Sequence, residues 1–132
     1  MPSTAWDTQQ IGNAPPVAAP DGSEVRVLCA TPCGSMALFT LPAGGIARPV
    51  VHRTVEEIWY VVAGKGRIWR RLGGAEEVAD LVPGLSLTIP AGTAFQFRND
   101  GEARLDIVGV TMPPWPGADE ADAAAGKWTA TL

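Results

Sequence analysis

The chain has 132 residues, of which 46% are apolar, and a formal net charge of −4. That is enough material for one domain with one core, and too apolar for a disordered chain. The acidic balance argues against nucleic acid as a partner, and no run approaches the roughly 18 apolar residues of a membrane helix.

In chain order, residues 1–22 read as an extended arm. They lack the basic start and apolar stretch of a secretory signal, so the expected compartment is the cytoplasm. Pro15, Pro16 and Pro20 exclude a helix there, and Trp6 and Ile11 are the expected anchors, on the body of the fold or on a second subunit. Nine short extended runs follow over residues 23–112: 24–29, 35–41, 48–53, 57–62, 67–72, 77–82, 85–89, 93–98 and 103–111. Fifteen glycines and twelve prolines supply the turns between them, with Asn99-Asp100-Gly101 expected as a hairpin. Glu57–Val62 is the strongest of these strands, rich in β-branched and aromatic residues. Arg67, Trp69 and Arg71 share one face of the next, which predicts an exposed or interface strand. Residues 113–132 are a tail with a short helix expected over 119–125. Trp115 and Trp128 are too apolar to leave in water, so the tail is expected to pack on the body, with a lid over a site as the functional alternative. Cys29 and Cys33 read as free thiols beside a turn. Many short strands with closely spaced turns predict an all-β sandwich or barrel.

Two glycine-bounded stretches carry the chemistry. The first runs Gly44, five residues, Val50-Val51-His52, four residues, Glu57, six residues, Gly64. The second runs Gly84, five residues, Pro90-Ala91-Gly92, two residues, Phe95, three residues, Asn99. Period-two alternation puts Val50 and His52 on one strand face, Glu57 and Trp59 on a second, and Phe95 and Phe97 on a third. If those faces turn inward they line one cavity. Phe39, Met36 and Val108 or Val110 are its expected neighbours.

These two stretches resemble the paired motifs of the cupin superfamily in every spacing, over residues 35–111. The resemblance implies a double-stranded β-helix and a homodimer. It also implies four metal-ligand positions, which here hold Val50, His52, Glu57 and Phe95. Two of the four are apolar, and His52 is the chain's single histidine. A mononuclear site needs three protein ligands as a rule. Cys29, Cys33 and Asp106 are the remaining candidates for recruitment, so the expectation is no cofactor, with a divalent metal on His52 and Glu57 as the alternative.

A histidine beside a carboxylate in an apolar pocket is suited to proton transfer, because the carboxylate sets the tautomer and orientation of the ring. The expected function is therefore binding of a small, largely apolar molecule, with His52 and Glu57 as a metal-free acid–base pair of an isomerase, cyclase or lyase. A non-catalytic binding or sensing module is the first alternative, and a metal-dependent, dioxygenase-like cupin the second.

Overall fold

A computed structural model describes residues 6–132. Its strands are β1 (Pro16–Ala18), β2 (Glu24–Thr31), β3 (Gly34–Leu41), β4 (Val50–His52), β5 (Glu56–Ala63), β6 (Gly66–Leu72), β7 (Ala75–Leu81), β8 (Ser86–Ile89), β9 (Ala94–Asn99), β10 (Leu105–Met112) and β11 (Ala121–Ala123). They form two antiparallel sheets, in the orders β1-β2-β3-β10-β5-β8 and β11-β4-β9-β6-β7. The chain passes repeatedly from one sheet to the other, so the fold is an all-β double-stranded β-helix.

Alternation decides which side chains enter the barrel. On β5, Glu57, Trp59 and Val61 are buried, whereas Ile58, Tyr60 and Val62 are about half exposed. Strand register then divides the interior into two ends. Leu105 faces Leu41, and with Val61, Ile68 and Leu81 it fills one end. Each such buried aliphatic side chain contributes about 1.5–3 kcal/mol. Thr111 faces Ser35 on one side and Glu57 on the other, at the opposite end of the same strand. That end is left open, and Trp59 and Phe97, with ring centroids 4.9 Å apart, lie between the two.

Several expectations change. The Asn99 turn is not a hairpin, because β9 and β10 belong to different sheets. Asn99 instead pins the crossover. Its Nδ2 donates to the carbonyls of Leu41, Pro42 and Ala103, and its Oδ1 accepts the Gly101 N–H. The 119–125 helix is replaced by a 3-10 turn at Ala118–Glu120 and by β11. The open edge of β4 takes Ala121–Ala123 as a partner, and the Glu120 carboxylate accepts from the Thr54 and Val55 N–H groups and the Thr54 hydroxyl. The arginine-bearing face of β6 is not simply exposed. Trp69 is buried and donates to Glu76, and Arg67 lies over the Trp128 ring, which Arg98 also covers. Trp6 is 89% exposed, so it does not anchor the arm on the barrel, and Ile11 is only partly covered. The arm is held instead by β1 pairing with β2, Pro16 opposite Arg26.

Candidate functional site

The open end is organised by two strands that follow each other in the chain but belong to different sheets, β4 and β5. His52 closes β4, where its carbonyl accepts the Gly92 N–H at 2.9 Å and its backbone pairs with Ala121. Glu57 is the second residue of β5. Their side chains meet, Nδ1 to Oε2, at 2.8 Å, and both residues are buried. The approach is out of line for a directed hydrogen bond, and neither atom has another partner among the described residues. The other carboxylate oxygen, Oε1, accepts the Trp59 indole N–H at 3.1 Å. The imidazole stands edge-on between Phe95 and Trp115, at centroid distances of 5.1 and 4.9 Å.

This pair faces a cavity of about 530 Å³. Of the pocket residues expected from the sequence, Val50, His52, Glu57, Trp59 and Phe95 all line it. Phe97 does not reach it and packs behind Trp59 as core. Phe39 and Met36 line the cavity, but Val108 and Val110 do not. The register of β10 puts Gly109 opposite Trp59 and Thr111 opposite Glu57, so these two contribute instead. A Cβ at Gly109 would lie 2.3 Å from the Phe39 ring, so a larger residue there would push that ring aside.

Two further walls come from the ends of the chain. One, not foreseen in the sequence, is the arm, through Val17–Asp21; the other is the tail, through Pro114 and Trp115, which the sequence offered only as an alternative. Asp21 brings a third ionisable group. Burial pushes its carboxyl up from the usual aspartate range, the Ser23 hydroxyl and N–H pull it down, and the charge of Glu57 pushes it up again. Pro20-Asp21-Gly22 reads only as a turn, and no local signal shows that its carboxyl faces inward. Trp115 sits at the cavity, held by its N–H donating to the Ser35 hydroxyl at 2.9 Å. Trp128 lies elsewhere, on the outer face of the second sheet.

Few metal donors gather at this end of the barrel. Among the described residues no three His, Cys, Asp or Glu side chains converge. Val50 and Phe95 face each other across β4 and β9, so two apolar side chains sit side by side next to His52. Cys29 and Cys33 are free thiols of the β2–β3 hairpin. Asp106 is engaged by Thr40 and Arg104.

Residues 37–111 match a family model described as a cupin domain. No curated protein matches the sequence. Among solved structures the chain is similar to oxalate decarboxylase from Bacillus subtilis, with 17% identity and a TM-score of 0.67 over 76% of this chain. It spans only 28% of that enzyme's length. It is also similar to BH2720 from Bacillus halodurans, with 19% identity and a TM-score of 0.64 over 77% of each chain. At these identities the likeness concerns the fold.

Proposed function

The chain belongs to the cupin family, and from that premise we propose that its cavity binds a small, largely apolar molecule on which His52 and Glu57 move a proton. The observation that carries this reading is the buried pair at 2.8 Å, facing a cavity walled mainly by aromatic and aliphatic side chains. Concave, mostly apolar sites with a few converging polar groups are the usual small-molecule sites. Glu57 favours the proton on Nδ1 and stabilises the imidazolium that forms when Nε2 accepts a second one. Trp59 holds the carboxylate from its other side, so pair and floor are one unit.

A second reading, binding without chemistry, is favoured by Trp115, whose ring covers one side of the imidazole. A metal-dependent reading draws on oxalate decarboxylase, which has Mn(II) centres. The two-donor set here argues against carrying that feature over.

The test uses 2-acetylnaphthalene, a flat apolar ketone, followed by calorimetry and by NMR of the single imidazole. Saturable one-to-one binding that shifts the His52 ring resonances is expected. Absence of saturable binding, or binding that leaves those resonances unmoved, would contradict the reading. The half-exposed row Ile58, Tyr60 and Val62 on the outer face of β5 supports a homodimer. A monomer mass by light scattering would refute that part.

A further inference from the structure

One ionisable group in the cavity is left unused by the His52–Glu57 pair. Asp21, in the turn between β1 and β2, lines the same cavity and is only 9% exposed. Its Oδ1 accepts the Ser23 N–H at 2.9 Å and the Ser23 hydroxyl at 2.6 Å. Among the described residues Oδ2 has no hydrogen-bond partner, and no cationic side chain pairs with the carboxyl. Arg48, whose backbone N–H bonds the Asp21 carbonyl, spends its guanidinium on the carbonyls of Leu132 and Pro20. The charges that act on Asp21 across the cavity are those of Glu57 and His52. A carboxyl that is buried and has no paired cation favours its protonated form; the charge of Glu57 adds to this and that of His52 works against it, with burial the largest effect. A protonated carboxyl donates a hydrogen bond, as neutral carboxylic acids do in apolar enzyme sites.

We propose that Asp21 is the acid that faces a carbonyl oxygen of the bound molecule, while His52, backed by Glu57, takes a proton from the adjacent carbon. The substrate class is then a small, flat, apolar ketone or related carbonyl compound, and the reaction is enolisation. This inference rests on the small-molecule reading of the cavity and names its chemistry. In the forward step the C–H bond breaks and its proton goes to Nε2 of His52. The electron pair forms the C=C bond, and the carbonyl oxygen takes the Asp21 proton. The ketone becomes its enol, Asp21 a carboxylate and His52 an imidazolium beside Glu57. Reversal delivers the proton back to carbon, and no oxidant or reductant is consumed. Placing a donor where negative charge develops on oxygen lowers the barrier to removing so weak an acid.

The experiment compares 2-acetylnaphthalene with 2-ethylnaphthalene, which has the same shape without the oxygen, and follows exchange of the ketone's methyl protons in deuterated buffer by NMR. The wild type is expected to prefer the ketone and to accelerate exchange over buffer. Asp21→Asn keeps a donor and the Ser23 contacts but has no proton to give. It should keep the preference and slow exchange about a hundredfold. Asp21→Leu should lose the preference. His52→Gln should keep the preference and fall to the buffer rate. Exchange at the wild-type rate in Asp21→Asn, or a preference that survives Asp21→Leu, overturns the proposal. If Asp21→Leu does not fold, the Asp21→Asn rate decides. Binding of both probes without preference overturns the role of Asp21 alone. Binding of neither overturns the cavity reading as well.

Discussion

A carboxyl taken out of water without a cation beside it costs stability whenever it is ionised, and Asp21 is such a group. Its folded value is raised, so the folded state holds the proton more tightly than the unfolded chain. The sign follows from linkage: stability falls as pH rises from the unfolded value near 3.8 through the folded one. Asp21→Asn, which keeps the oxygen that Ser23 binds, should therefore raise the melting temperature by a few degrees at neutral pH. The gain should vanish below about pH 3.8. Melting curves across that range check it, and a loss of stability at neutral pH would contradict it. Glu120 runs the other way. The Thr54 N–H, foremost, holds its carboxyl below the usual 4.5, so what it contributes is present at neutral pH and lost on acidification below that. The two groups differ in what they hold: Glu120 straps the tail to the β4–β5 turn, whereas Asp21, on the role proposed for it above, accepts a cost in stability for chemistry.

At the scale of the element, Gln96 fastens the stretch of the tail around Lys127 and Trp128. It lies on β9, fully buried on the side opposite Phe95 and Phe97. Its Nε2 donates to the carbonyls of Ala47 and Trp128, and its Oε1 accepts the N–H groups of Lys127 and Trp128. Gln96→Ala should cost about 1–3 kcal/mol and free Trp128, read as a change in tryptophan fluorescence during denaturant unfolding. An unchanged unfolding midpoint would contradict this. Strands whose faces are set by their own alternation, such as β5, were legible in the sequence. So were His52, Glu57, Val50 and Phe95, because their spacing and period fix both place and direction. The short strands β1 and β11 were not, since they exist only by docking on β2 and β4. Locally, Asp119–Ala125 favours a helix, but the unpaired edge of β4 outweighs that preference. Asn99-Asp100-Gly101 carries a true turn signal, yet nothing local says that the next strand joins the other sheet. Asp21 was invisible for the same reason, as its direction depends on where β1 docks.

Over the whole molecule, the winding of the two sheets leaves one end filled by Leu41, Leu105 and their neighbours and the other hollow. At the hollow end Val50 and Phe95, opposite each other across β4 and β9, are both apolar. The central claim is that this leaves His52 and Glu57 as a pair acting on an organic molecule and not as part of a metal site. The most direct measurement is a zinc and manganese titration of the purified protein and of the Val50→His/Phe95→His variant, with bound metal counted by mass spectrometry. The wild type should retain no stoichiometric metal, and the double variant, with four donors restored, should hold one ion per chain. One tightly held ion in the wild type, lost in His52→Ala, would contradict the account.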